Sequence, residues 1–145
     1  MPSLTELASY LESIAPAQIA ESWDNVGVLV RCAQEVTGVL CALDITPATV
    51  REARAVGCNA IVSHHPVIFR PLKELRQDDV PALLVREGVS AVCMHTNLDK
   101  AQGGVNDVLA QALGLRDTEP FAGGIGRVGV LPETMEAAAF AQFVG

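Results

Sequence analysis

Three histidines occur in the 145 residues, and each follows an apolar run. Asn59-Ala-Ile-Val-Ser63 leads into His64-His65-Pro66, and Val89-Ser-Ala-Val-Cys-Met94 leads into His95-Thr-Asn-Leu-Asp99. If both runs are strands of one open α/β sheet, these side chains sit past the strands' C-terminal ends, the edge where such sheets bind ligands. Imidazole and carboxylate together suit a divalent metal of hard-to-borderline character. The expectation is a metal site, dinuclear and hydrolytic, in which two ions about 3.5–4 Å apart acidify a water and neutralise charge on the substrate.

Each residue also has a plainer reading. Neighbouring residues of a regular strand point to opposite faces, so His64 and His65 can share a site only where the pleat ends, as it does before Pro66. Alone, the pair would read as one surface imidazole and one satisfied by a carbonyl; the second cluster tips the balance toward metal. His95 is open to three roles: ligand, orienter of a ligand, or general acid. Asp99 could bind or bridge metals, or close the Lys100-Ala-Gln-Gly-Gly104 turn. Asp44 comes directly after an apolar run at the same expected sheet edge. It either hydrogen-bonds a metal-binding histidine and sets its tautomer, or caps the helix that begins at Thr46-Pro47. Gly103-Gly104 opens a helix whose free N–H groups could hold an anion such as phosphate.

The elements that must position these groups can be read from pattern. Ser3-Leu-Thr-Glu6 is a capping box, and Leu4, Leu7, Ala8, Leu11 and Ile14 keep helical spacing up to Pro16. Residues 26–30 and 36–43 read as strands, with irregular chain between Pro16 and Asn25. A helix runs from Pro47 to Val56 and stops at Gly57. Residues 59–63 form a strand apolar enough to be buried on both faces. Residues 66–78 read as a loop, 79–87 as a helix, 89–94 as a strand and 105–113 as a helix. Residues 127–131 read as a further strand, and 132–143 as the start of another helix. Alternating strands and helices make an α/β fold with a mostly parallel sheet, taken as a single domain over 1–145 whose last stretch starts a next α/β unit. Gly124-Ile-Gly126-Arg-Val-Gly129 matches the dinucleotide fingerprint in letters only, because these glycines run into a strand rather than from a strand into a helix.

Composition narrows the function. A net charge of −7 lacks the basic footprint of a nucleic-acid binder and disfavours an anionic membrane surface. Aromatic residues make up 4% of the chain, too few for a base-stacking groove along a single strand. Cys32, Cys41, Cys58 and Cys93 form no C-x-x-C pair and read as reduced, buried thiols, with a structural zinc site the lesser alternative. No signal-peptide pattern opens the chain and no apolar run approaches the ~20 residues of a membrane span. The default expectation is a soluble cytoplasmic protein.

Three motifs in order carry a family resemblance: Glu21-Ser-Trp23-Asp24-Asn25-Val-Gly27, Ser63-His64-His65-Pro66, and His95-Thr-Asn97-Leu-Asp99 followed by Gly103-Gly104-Val-Asn106-Asp107. Together they resemble the Ngg-interacting-factor-3-like proteins, also labelled GTP cyclohydrolase I type 2 homologues, over nearly the whole chain. The resemblance implies a three-layer α/β/α fold and ring-shaped homo-hexamers with metal sites facing an interior space. It implies two divalent ions, with His64, His65 and Asp99 as ligands and His95 close to them; mixed nitrogen and oxygen ligands admit zinc, iron, manganese or nickel, and in a hydrolase His95 would take the catalytic role of protonating a leaving group. Trp23, Asp24 and Asn25 would form a loop near the site or at a subunit contact; Asp44, Asn97, Gly103 and Gly104 would support the site or the substrate. The implied substrate is a small molecule, GTP or another nucleotide or phosphoester. Family members are longer and draw further ligands from an H-x-x-x-E motif in a second half that repeats the α/β pattern. No histidine occurs after His95 here, so this chain is expected to be the N-terminal half with an incomplete site. A non-catalytic metal-holding scaffold or interaction protein, with this chain an inactive fragment, is the alternative reading.

Overall fold

A computed structural model describes every residue from Met1 to Gly145, and it divides into two compact units, Met1–Leu98 and Asp99–Gly145. The first unit is built on a four-stranded sheet in the order β1-β4-β3-β2. The strands are β1 (Gly27–Val30), β2 (Val39–Ala42), β3 (Ala60–Ser63) and β4 (Ser90–Cys93). β2, β3 and β4 run parallel, joined through α2 (Pro47–Ala55) and α3 (Val80–Glu87); β1 lies antiparallel against β4. The mostly parallel α/β sheet read from the sequence is the one present.

Helix starts obey local chemistry. Ser3 and Glu6 form a reciprocal capping box at the head of α1 (Leu4–Ile14), and the Thr46 hydroxyl accepts from the Thr49 N–H ahead of Pro47. Side chains of adjacent strand residues divide between the two faces of the sheet. Ile61 and Ala91 pack with Val50, Ala53 and Leu84 under α2 and α3, whereas Ala60 and Val92 pack with Leu4 under α1. That makes three layers, with α1 on one face and α2 and α3 on the other. β3 and β4 carry apolar side chains on both faces because both faces are covered.

β2 begins at Val39 rather than Val36. The Thr37 N–H is taken by the Asn59 side chain and the Thr37 hydroxyl by the Gly57 carbonyl, so the segment before β2 closes on side chains and not on the ladder. Cys41 is exposed on this edge strand, which corrects its reading as buried; all four cysteines are free thiols.

The second unit holds an antiparallel pair, β5 (Arg116–Phe121) and β6 (Gly126–Val130), with α5 (Val105–Ala112) and α6 (Ala137–Val144). β6 matches the expected strand at 127–131. β5 has no counterpart in the sequence reading, because Arg-Asp-Thr-Glu-Pro-Phe shows no alternation and is exposed throughout. Its register slips between Arg116 and Glu119, where Asp117 takes a positive φ of 51°. The glycines of the fingerprint-like stretch serve this ribbon: a Cβ on Gly129 would lie 2.9 Å from the Arg116 carbonyl oxygen. The short α4 (Thr96–Lys100) leads from one unit into the other. No helix is long and apolar enough to cross a membrane.

Candidate metal centre

Parallel strands bring their C-terminal ends to one edge, and three such ends meet here. Asp44 lies just past β2, His64 and His65 just past β3, and His95 just past β4. The ladder extends past the strands: the His64 N–H donates to the Ala42 carbonyl, the His65 N–H to Leu43, and the Met94 N–H to Ser63. The buried Ser63 hydroxyl donates to the His65 carbonyl at 2.9 Å and so shapes the turn that frees His65 from the pleat. The antiparallel β1 reverses direction and therefore delivers the residues before it, Trp23, Asp24 and Asn25, to the same edge, since Gly27 pairs with Cys93.

The three imidazoles converge. Their ring centroids are 5.2 Å apart for His64 and His65, 5.2 Å for His64 and His95, and 5.8 Å for His65 and His95. One ring nitrogen from each lies within 4.8 Å of the other two. Each ring is oriented through its Nδ1. His64 Nδ1 lies 2.9 Å from the Met94 carbonyl oxygen, His65 Nδ1 2.8 Å from Asp44 Oδ1, and His95 Nδ1 2.9 Å from Asp24 Oδ1. A carbonyl or an ionised carboxylate can only accept, so in each neutral ring the proton belongs on Nδ1 and the lone pair on Nε2. Three imidazoles in one cluster, each oriented by a carbonyl or carboxylate behind its Nδ1, form a donor set that a borderline divalent ion selects.

The two carboxylates behind the rings differ. Asp44 is exposed, and so is the His65 ring it contacts. Asp24 has no exposed side-chain surface, and the His95 side chain is 19% exposed. Asp24 accepts from the Thr96 N–H, the Thr96 hydroxyl, His95 Nδ1 and the Asn25 N–H. Burial pushes its carboxyl pKa up, but the hydrogen bonds from Thr96, His95 and Asn25 outweigh that and hold Asp24 below the ordinary carboxylate value. Asp24 thus stays ionised where His95 needs an acceptor. The family motif put Asp24 in a loop near the site, but its pairing with His95 was not legible in the sequence.

The remaining candidates take different places. Asn97 is buried and donates through Nδ2 to the Ala15 carbonyl at 2.7 Å, so it ties the start of α4 to the end of α1. It stands two residues past His95, so its amide anchors the segment that carries that ring. Asn25 donates from Nδ2 to the Ile68 carbonyl at 2.6 Å, and Trp23 meets Phe69 edge-on. Phe69, in the stretch that reads as a loop, stands edge-on to His95 in turn. Asp99 lies on α4, one turn past His95, and begins the second unit. At Gly103-Gly104, the Gly103 N–H donates to Asp107 Oδ2 at 2.6 Å, and Asp107 in turn pairs with Arg127. The chain's own carboxylate therefore occupies the position suggested for an external anion. Arg127 and the Gly103 N–H together hold Asp107 below the ordinary carboxylate range. Cys93 points its thiol at the His64 carbonyl, and burial, with the nearby charge of Asp24, pushes its pKa up to about 12. It is an inert neighbour of the centre, not a ligand.

An α/β protein whose sheet edge gathers three Nδ1-anchored histidines is the class that fold and site define. Residues 2–145 match the model of the Duf34/NIF3 (NGG1p interacting factor 3) family, and the chain belongs to that family. It is 42% identical over 118 residues to a Staphylococcus aureus protein named GTP cyclohydrolase 1 type 2 homolog, covering 79% of this chain and 32% of that one. The chain thus spans about a third of that relative's length. Among solved structures, the S. aureus hypothetical protein SA1388 is similar with a TM-score of 0.74 and 40% identity over 82% of this chain and 41% of the other. Reduced HcgD from Methanocaldococcus jannaschii aligns with a TM-score of 0.85 at 26% identity, over 97% of this chain and 58% of its own.

Proposed function

We propose that the His64–His65–His95 cluster is part of a dinuclear divalent-metal centre of a hydrolase acting on GTP or another nucleotide or phosphoester. The observation that carries this reading is the common tautomer: all three rings are anchored at Nδ1, which presents Nε2 as the ligand atom. The family and the name borne by the S. aureus relative support it. Asp99, one turn past His95, is the carboxylate we assign to complete the donors from this chain. The donor set admits zinc, iron, manganese or nickel.

Divalent ions held there would supply Lewis acidity toward a water and toward a phosphoryl or carbonyl oxygen of the substrate. The chain's own part is orientation and proton control. Met94 and Asp44 fix the rings of His64 and His65. Asp24 fixes the His95 ring through Nδ1, which leaves Nε2 for either a ligand's role or proton exchange with a leaving group. Elemental analysis after loading with zinc or manganese tests the centre, with His65→Ala as control; stoichiometric metal in the parent and a reduced content in the variant are expected. Absence of bound metal in the parent refutes it. Turnover of GTP and of an aryl phosphate, measured on this chain and on the whole S. aureus relative, tests the hydrolase. Lost turnover with metal retained in His95→Ala separates catalysis from a scaffold that only holds metal.

A further inference from the structure

The chain has one Trp, one Tyr and four Phe, and it turns Trp23 and Phe69 toward solvent beside the imidazoles. Trp23 is 58% exposed and Phe69 43%. Their ring centroids are 6.0 Å apart at an interplanar angle of 73°. Phe69 lies 6.4 Å from the His95 ring at 88°. Trp23 meets Phe69 edge to face and Phe69 meets His95 edge to face, so the exposed pair continues into the cluster. Tyr10, Phe121 and Phe143 are exposed as well; what sets Trp23 and Phe69 apart is that they contact each other and adjoin the His95 ring.

The aromatic pair is also held in place. Asn25 clamps the Trp23 segment to the Phe69 segment through the Ile68 carbonyl. Asp24, between Trp23 and Asn25, ties the same segment to His95 and Thr96. The residues that orient the His95 ring therefore also position the aromatic pair. A ring stacked on the exposed face of either aromatic would leave its attached groups beside the imidazoles. We infer that Trp23 and Phe69 form a platform for a planar heteroaromatic ring, a nucleobase, of the molecule processed at the centre. This rests on the nucleotide reading of the site and names the residues that recognise the base. Stacking on a single aromatic side chain changes affinity by roughly 5- to 150-fold per base.

Trp23 is the sole tryptophan, so intrinsic emission reports on the platform alone. The metal-loaded protein is titrated with guanosine 5′-monophosphate, exciting at the red edge of indole absorption, and separately with ribose 5-phosphate. Saturable quenching by the nucleotide alone is expected, weakened roughly tenfold in Phe69→Ala and restored in Phe69→Tyr. His65→Ala, titrated in the presence of a chelator, is expected to keep the base-dependent quench. Quenching that ribose 5-phosphate reproduces, or that Phe69→Ala leaves unchanged, overturns the inference. A Phe69→Ala variant that instead changes its mass in solution without any nucleotide quench in the parent overturns it in favour of a subunit contact. Metal binding and phosphoester turnover without base quenching sink this inference and leave the metal-centre reading standing; base quenching without metal binding does the reverse.

Discussion

Replacing Asp24 by Asn tests whether the buried carboxylate organises the centre. Four donors converge on its two oxygens: the Thr96 N–H and hydroxyl on Oδ2, and His95 Nδ1 and the Asn25 N–H on Oδ1. Asparagine keeps one oxygen. If its amide nitrogen faces Thr96, the Thr96 N–H is orphaned in a site closed to water. If it faces His95, that ring must accept at Nδ1 and move its proton to Nε2, where a metal would bind. One buried donor is lost in either case, together with charge assistance to the rest, a destabilisation of about 2–4 kcal/mol. Urea unfolding at pH 7 measures it. The pH dependence gives the sign. Because the folded pKa of Asp24 lies below its ordinary value of 3.8, its contribution is complete above that value and is lost as pH falls through the folded pKa. The stability gap between the parent and Asp24→Asn should therefore be widest near neutrality and close at acid pH. Metal affinity should also fall, by roughly 10- to 100-fold, as expected for removing the group behind a ligating histidine. A variant with unchanged urea midpoint and unchanged metal affinity would show that Asp24 neither supports the fold nor sets the His95 tautomer.

The same geometry sets three further outcomes. Asp44→Ala should weaken metal binding less than Asp24→Asn and barely move the unfolding free energy, within about 0.5 kcal/mol, because Asp44 and His65 are solvated; calorimetric titration with zinc compares the two, and a larger loss from Asp44 contradicts the ranking. In the native protein at pH 8, Cys41 should react with a thiol reagent, while Cys93, buried and with its pKa at about 12, should stay silent until the chain is denatured; mass spectrometry after timed alkylation identifies the order. Gly129→Ala should destabilise the β5–β6 ribbon by about 1–3 kcal/mol, since the added methyl meets the Arg116 carbonyl and the Thr118 methyl at 2.9 Å; hydrogen exchange confined to residues 116–130 is the readout, and unaltered protection there refutes it.

Local chemistry was enough to read much of this molecule from its residues. Capping boxes, prolines at helix starts and glycines at helix ends act within a few positions, so α1, α2 and α3 stand where the pattern puts them. Two short apolar runs with side chains buried on both faces could only be central parallel strands, and the residues just past the end of a parallel strand must lie at the shared C-terminal edge. That logic placed His64, His65, His95 and Asp44 at one rim from sequence alone. It could not say which partner each ring would find, because those partners are far away along the chain. Asp24 reaches His95 only because β1 pairs antiparallel with β4, a choice of strand direction that four residues, Gly27–Val30, do not encode by themselves. The amide of Asn97 likewise finds its partner far along the chain, at the Ala15 carbonyl that ends α1. β5 was missed for the same reason: an exposed, non-alternating segment becomes a strand only when β6 supplies its hydrogen bonds. Residue types and their spacing set which donors exist and which sheet edge they reach; long-range pairing set the tautomers, and with them the chemistry the three histidines can perform.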